Sequence, residues 1–107
     1  MADNEAAPSR LVTLLAAATT TGAGASADLG AIRDEFSVLV QTTGSPTFSV
    51  TFQGSIDGTN WFTLGSAVTS VTNGATVTGV LARYVRANLT ALSGGTLTAE
   101  LAFNAGD

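Results

Sequence analysis

The sequence contains no cysteine, no histidine and, since all four of its basic residues are arginines, no lysine. The absence of cysteine excludes disulfides, iron–sulfur clusters and thiol chemistry, and it deprives structural zinc of its usual ligands. The absence of histidine and lysine excludes an imidazole base, a serine–histidine pair and a Schiff base. This inventory predicts that the protein is not an enzyme and that it uses no cofactor.

Charge is also scarce, because charged residues make up 11% of the 107 residues, against about 25% in an ordinary soluble domain. The formal net charge of −4 argues against a nucleic-acid partner, since that binding neutralises phosphates with basic side chains. No apolar run approaches the ~20 residues of a membrane-spanning helix. The acidic start at residues 1–5 is unlike a secretory signal. We therefore expect no nucleic-acid partner and no membrane partner.

The chain is instead rich in small residues, and alanine, threonine, glycine and serine make up more than half of it. Apolar residues still account for 45%, which is enough to build one core in a chain of common domain size. Residues 1–9 are small and polar with one proline, and they predict a flexible N-terminal arm. Residues 10–107 are predicted to form a single domain.

Alternation of apolar and polar residues with a period of two runs through most of this domain and predicts β-strands. It is clearest over residues 47–56, where four apolar side chains are expected to face the core: Phe48, Val50, Phe52 and Ile56. Gly54 interrupts the apolar side of this strand, which indicates a bulge or a close backbone contact.

Turn signals separate the predicted strands. Asp57-Gly58 and Asn73-Gly74 are dipeptides that favour tight hairpins, and turn-forming residues cluster at 43–46 and 93–95. Helical patterns are nearly absent. The spacing therefore predicts an all-β fold, a single antiparallel β-sandwich of about eight short strands.

Asp57 and Trp61 are candidates for a binding site in the predicted hairpin. A tight turn accounts for Asp57, while a calcium site is a weaker alternative, since loop carboxylates suit that ion. Trp61 is a candidate stacking platform for sugars, although a lone tryptophan in a sandwich is more often a core anchor. We expect the core position for Trp61.

Arg83 and Arg86 are half of the basic residues, and they fall on opposite faces of one predicted strand. One of them is expected to pair with a carboxylate or to lie over the end of the sandwich, with its apolar stem packed on the domain. The alternative is an arginine exposed at an interface with a partner.

Two segments resemble the core of discoidin-type domains, which are the C-terminal domains of coagulation factors and their bacterial relatives. GSIDGTNWFTLG at 54–65 and ARYVRANLT at 82–90, followed by the strand at 97–103, carry the resemblance. In that family a serine, an Asp-Gly turn and a tryptophan precede an Arg-Tyr-x-Arg strand. The resemblance spans about half of this chain and implies a jelly-roll sandwich. The family is normally longer and often has a disulfide, so the fold is carried over and the ligand site is not.

The chain as a whole is similar to small virion proteins of tailed bacteriophages. The shared features are a short acidic arm, a sandwich rich in threonine, alanine and glycine, the sequence DGTNW at 57–61 and the lack of catalytic residue types. The resemblance implies a structural protein of the virion, and most specifically a decoration protein that cements the outer surface of a capsid. The negative net charge suits an outward position better than one facing packaged DNA.

Low charge has a related implication, because charge keeps a monomer apart from its neighbours. We expect a homo-oligomer, with a trimer implied by the resemblance, and partners that are the major capsid protein or other virion proteins. The residues expected at the interface belong to the arm, to the start of the domain and to the candidates above: Asp3, Glu5, Arg10, Trp61, Arg83 and Arg86.

Two alternative functions stay open. One is a discoidin-like module that binds carbohydrate or another surface, with Trp61 and the loops near Asp57 as its site. The other is a component of the tail or of the head–tail junction. Loss of sugar binding in Trp61→Ala would favour the module, whereas location in purified particles would favour a virion protein.

Overall fold

A computed structural model describes the backbone of residues 9–104 and the side chains of residues 10–71 and 81–103. The described residues form an all-β fold of five strands: β1 (Ser9–Ala18), β2 (Gly22–Ala23), β3 (Ala27–Ser55), β4 (Phe62–Val68) and β5 (Thr72–Asn104). They include no helix, and hence none of a length and apolarity that would cross a membrane. The predicted arm at 1–9 lies outside the described residues except for Ser9, with which β1 begins.

All strand pairs are antiparallel, and the strands follow one another in the order β1-β5-β3-β4, with β2 paired to β5 beside this path. β1 is in register with the end of β5, from Ser9 opposite Asn104 to Ala18 opposite Leu97. β4 returns along the end of β3, with Phe62 opposite Gly54. The expected class of fold, all-β and antiparallel, is therefore confirmed.

β3 and β5 are long, with 29 and 33 residues, and they pair with each other in several stretches. Residues 37–55 pair with 84–102, residues 35–40 with 72–78, and residues 27–28 with 84–85. Residues 37–40 therefore pair with two stretches of β5, and residues 84–85 pair with two stretches of β3.

Both long strands bend at glycines in the left-handed region of backbone space. Gly44 has φ 83° and Gly94 has φ 96°, a conformation that glycine adopts without a steric penalty, and Gly44 pairs with Gly95. The turn-like segments 43–46 and 93–95 are thus bends within continuous strands. Because β3 and β5 each continue through such a segment, residues 9–104 form five strands where the turn signals predicted about eight.

The hairpin predicted at Asn73-Gly74 is wrong. Both residues lie within β5, Asn73 pairs with Leu39 of β3, and the link between β4 and β5 is at 69–71. β4 pairs with β3. Pairing with β3 overrides the local turn preference of the Asn-Gly dipeptide, as tertiary context commonly does in sheets.

The buried apolar side chains form one core cluster, and most of them come from alternate positions of β3 and β5. Its members are Leu14, Ala27, Leu29, Phe36, Val38, Val40, Phe48, Val50, Phe52, Leu64, Ala82, Val85, Ala87, Leu89, Leu97, Ala99, Leu101 and Phe103. The core positions predicted for Phe48, Val50 and Phe52 are confirmed.

The core position predicted for Ile56 is wrong, since 54% of its surface is exposed. β3 ends at Ser55, so Ile56 belongs to the turn and the alternation stops one residue before it. At Gly54, where a bulge or a close backbone contact was predicted, the structure instead places side chains against the glycine. A Cβ atom there would lie 3.0 Å from the Cβ of Ala82 and 3.1 Å from the ring of Phe62.

Candidate functional site

The turn between β3 and β4 is organised by the carboxylate of Asp57. The backbone N–H groups of Asn60 and Thr59 donate to its Oδ1 over 2.8 and 2.9 Å, and the Asn60 side chain donates to Oδ2 over 2.7 Å. These bonds, the one from the Asn60 backbone first, hold the pKa of Asp57 far below its ordinary value. The turn predicted for Asp57 is therefore confirmed.

The buried hydroxyl of Ser55 ties this turn to the end of β3. It donates to Oδ1 of Asp57 over 3.1 Å and accepts from the backbone N–H of Gly58 over 2.8 Å. Gly58 has φ 81° and lies beside the ring of Tyr84. The Asp57 carboxylate is thus occupied by donors, and the described residues hold no group of three acidic, histidine or cysteine side chains suited to a metal ion.

Trp61 lies at the start of β4, on the side opposite to the buried Leu64. The guanidinium carbon of Arg86 is 4.2 Å from the centre of its ring. Nε of Arg86 also donates to Oε1 of Gln53 over 2.8 Å, and Gln53 is the cross-strand partner of Arg86. We call these three side chains, Gln53, Trp61 and Arg86, the tryptophan–arginine stack.

The core position expected for Trp61 is wrong, because Trp61 is half-buried and is not a member of the core cluster. The period of two explains the error, since Leu64 occupies the inward side at this end of the domain and Trp61 falls on the outward side. The sequence pattern showed that both faces of this strand carry apolar residues, but it did not show that an arginine covers the outer one.

Arg83 pairs with Asp28 across β5 and β3, as expected for one of the two arginines. Its Nε donates to Oδ1 over 3.0 Å and its Nη2 to Oδ2 over 3.3 Å. The pairing lowers the pKa of Asp28, with a further contribution from the Gly30 backbone N–H, and it raises the pKa of Arg83. Both side chains are nearly half exposed, so solvent screens the pair and its effect on stability is small.

A groove of about 360 Å³ opens beside this ion pair. Its lining includes two arginines, Arg10 of β1 and Arg33 of β3, the carboxylate of Asp28, and the apolar side chains of Val12, Leu29 and Phe103. Nε of Arg33 donates to the backbone oxygen of Leu29 over 3.0 Å, and its guanidinium carbon is 5.4 Å from the centre of the Phe103 ring. We call this feature the arginine groove.

The sequence did not reveal Arg33 as a member of this groove. Its position depends on an irregular register between 28 and 33 of β3 and its partner strand, and no local pattern encodes such an irregularity. Arg10 was an interface candidate as the first residue of the predicted domain.

The predicted interface residues that the structure describes fall into two regions. Trp61 and Arg86 belong to the tryptophan–arginine stack. Arg10 lines the arginine groove, and Asp28 in the same lining connects the groove to the Arg83–Asp28 pair. Asp3 and Glu5 lie outside the described residues.

Comparisons with protein-family models, curated proteins and solved structures found no match to this chain.

Proposed function

We propose that the protein is a non-enzymatic structural protein of a virion, most specifically a decoration protein bound to the outer surface of a capsid. The observation that carries the proposal is the chemistry of the strands that end the sheet order, β1 and β4. β4 contains no charged residue and β1 contains one, Arg10. Edge strands of isolated proteins are usually protected by charge, above all by lysine, and this chain has no lysine.

The exposed apolar surface supports the same function. Leu11 on β1 is 66% exposed and Ile32 on β3 is 52% exposed, while the charged side chains of Asp28 and Arg83 neutralise one another. A surface with few free charges and open strand edges suits continuous contact with a partner. In this function many copies would hold the shell subunits together, and each bound copy would stabilise the closed capsid by a modest binding free energy.

We also propose that the sheet is folded into a two-layer jelly-roll sandwich. Pairing of the long strands supports two groups of four segments, one in the order 22–28, 82–92, 47–55, 62–68 and the other in the order 9–18, 95–104, 35–44, 72–78. Segments that follow each other along the chain mostly alternate between the two groups, which is characteristic of a jelly roll. Side chains of both groups, such as Phe52 and Val38, share one core cluster.

The proposed partners are the major capsid protein or other virion proteins, with further copies of this chain as neighbours in a trimer. The proposed contact surface combines Arg10, Trp61, Arg83 and Arg86 with the acidic residues of the arm. Arginine and tryptophan are favourable at interfaces, because arginine presents several N–H donors in one plane and tryptophan buries a large rigid ring.

Cosedimentation with capsids tests the function. Leu11→Lys places a charge at an exposed position of β1 and should lower attachment severalfold, because lysines on edge strands oppose strand contacts. Val71→Lys adds the same charge at a similarly exposed site outside the strands and is the matched control. Full attachment of Leu11→Lys would show that this edge is not the contact surface, and failure of the unchanged protein to bind any particle would overturn the function.

A carbohydrate-binding module is the second candidate, and the position of Trp61 favours it. The ring lies outside the core cluster, next to the hydrogen-bonding groups of Gln53 and Arg86, and such a combination suits a sugar. A glycan screen with the isolated protein separates this candidate from the first. Binding that is lost in Trp61→Ala and kept in Val71→Ala would support the module.

A further inference from the structure

We propose that Asp57-Gly58 is a latent site of spontaneous isoaspartate formation, and that the buried hydroxyl of Ser55 keeps it unreactive in the folded protein. The inference does not depend on the proposed function. It gives Ser55 a chemical role in addition to its place at the end of β3, which is to protect one peptide bond of the turn against rearrangement.

The dipeptide itself is prone to react, because glycine has no side chain to shield its backbone nitrogen. The nitrogen of Gly58 attacks Cγ of the protonated Asp57 carboxyl, an N–Cγ bond forms, and the carboxyl OH leaves as water together with the amide hydrogen. Water then opens the five-membered succinimide. Addition at Cγ breaks the new bond and restores aspartate. Addition at the main-chain carbonyl carbon breaks the original peptide bond and gives isoaspartate, so one water is released, one is consumed and the mass is unchanged.

The nucleophile of this reaction is held by a hydrogen bond. The backbone N–H of Gly58 donates to Oγ of Ser55 over 2.8 Å, and the same hydroxyl donates to Oδ1 of Asp57 over 3.1 Å. Ser55 is buried at 0% exposure, so water does not compete at its hydroxyl. Attack on Cγ requires the Gly58 amide to leave its plane and give up this bond, which adds to the barrier.

The electrophile is held in its unreactive form, because an ionised carboxylate has no OH group to lose. Oδ1 of Asp57 accepts from the backbone N–H groups of Asn60 and Thr59, and Oδ2 accepts from the Asn60 side chain. These donors, with the Asn60 backbone first, lower the pKa of Asp57. The protonated fraction is therefore smaller than in the unfolded chain at the same pH, and rotation of the carboxyl towards Gly58 would break these bonds.

Isomerisation would disrupt the turn. Isoaspartate inserts Cβ of residue 57 into the main chain and leaves a free carboxylate on Cα, so the turn from Ser55 to Trp61 would lose the spacing of its hydrogen bonds. The tryptophan–arginine stack, which follows this turn, would then lose its alignment. Isoaspartate accumulates slowly, so protection matters most in a protein that is not renewed after assembly, as in the proposed virion.

Ageing of the full-length protein at about pH 5 tests the inference, because an aspartate with an ordinary pKa near 3.9 is still several per cent protonated there. Trypsin cleaves after Arg33 and Arg83 and releases residues 34–83. Chromatography separates the isomers of this peptide, and fragmentation locates isoaspartate at position 57. Deamidation at Asn73-Gly74 of the same peptide changes the mass and is thereby distinguished.

We expect the folded protein to form isoaspartate at position 57 at least about tenfold more slowly than the same protein unfolded in urea, since bonds to both reacting groups must break first. Ser55→Ala, while folded, should form it at least about threefold faster than the unchanged protein. Val40→Ala is the control for lost stability, because it removes side-chain atoms at a buried position outside the turn. It should age like the unchanged protein.

Two further variants sharpen the comparison. Ser55→Cys keeps a side chain at the buried position but replaces the hydroxyl by a weaker donor and acceptor, so under reductant it should also age faster, and it serves where Ser55→Ala does not fold. Thr59→Ala changes an exposed side chain of the same turn and keeps the backbone donor of residue 59, so it should leave the rate unchanged. Tryptophan fluorescence shows that each variant is folded.

Three results would overturn the inference. Equal rates in the folded and the unfolded protein would show that the turn does not protect the dipeptide. Rates in the Ser55 variants no higher than in Val40→Ala would show that the hydroxyl is not the protecting group. Rates lower than in Val40→Ala would show that the hydroxyl instead passes the amide hydrogen to the carboxylate. The experiment uses no capsid and no ligand, so its outcome is separate from that of the proposed function.

Discussion

Arg86 covers the ring of Trp61, with its guanidinium carbon 4.2 Å from the ring centre, and it donates to Gln53 at the same time. This arrangement fixes both side chains on the outer face of the strand. A guanidinium over an indole contributes about 0.5–1 kcal/mol at a partly exposed site.

Removing the guanidinium should therefore destabilise the fold measurably. Arg86→Met keeps an apolar chain of similar reach but loses both contacts, and it should lower the free energy of unfolding by about 1 kcal/mol. The fluorescence of the single tryptophan reports urea unfolding directly. Arg83→Met is the control, because its ion pair is nearly half exposed and should contribute less. Equal losses in the two variants would contradict the assigned stack.

Phe52 and Ile56 provide a second test, since the sequence pattern treated them alike. Phe52 is buried at 2% exposure, while Ile56 is 54% exposed. Phe52→Ala should lower the free energy of unfolding by about 3–5 kcal/mol, the range for removing a buried aromatic ring. Ile56→Ala should change it by less than about 0.5 kcal/mol, as surface substitutions usually do. Chemical denaturation measures both, and a large loss in Ile56→Ala would show that the turn packs on the core.

Those two residues also show how far sequence reasoning reaches. Phe48, Val50 and Phe52 follow the period of two, which depends on local geometry alone. The core position predicted for Ile56 is wrong because the hydrogen bonds of Ser55 and Asp57 determine where the strand ends. The apolar pattern contains no information on those bonds.

The contacts of the candidate site that the sequence did not predict were missed for a similar physical reason. Asp57 and Gly58 were predictable, because a tight turn is specified by adjacent residues. Trp61 and Arg86, which are in contact, and Arg10 and Arg33, which line the same groove, are pairs of residues that are distant in sequence. Such contacts depend on strand register and its irregularities, which composition and spacing do not determine.

Gly58 provides a third prediction through its backbone. Its φ of 81° is accessible to asparagine with little strain and is costly for a β-branched residue. Gly58→Val should be less stable than Gly58→Asn by about 1–3 kcal/mol. A Cβ atom at this position would lie 3.5 Å from the Tyr84 ring, an ordinary contact, so backbone strain should account for the difference. Equal melting temperatures of the two variants would contradict the positive φ.

The carboxylate of Asp57 should make the folding stability depend on pH. Its pKa in the folded protein is depressed by the donors of the turn, whereas in the unfolded chain it should be near 3.9. The stabilisation is therefore present above about pH 4 and is lost as the pH falls towards the depressed pKa. Thermal melts from pH 5 to pH 2 should show a steeper loss for the unchanged protein than for Asp57→Asn. Parallel curves would show that the turn does not hold the ionised carboxylate.

The most direct test of the proposed virion function is the position of the protein in purified particles of any tailed phage that is found to carry its gene. Electron cryomicroscopy of those particles, with the fold fitted to density, should place many copies on the outer capsid surface, in threefold groups. Particles that lack the protein, or density that places it only on the tail, would contradict capsid decoration.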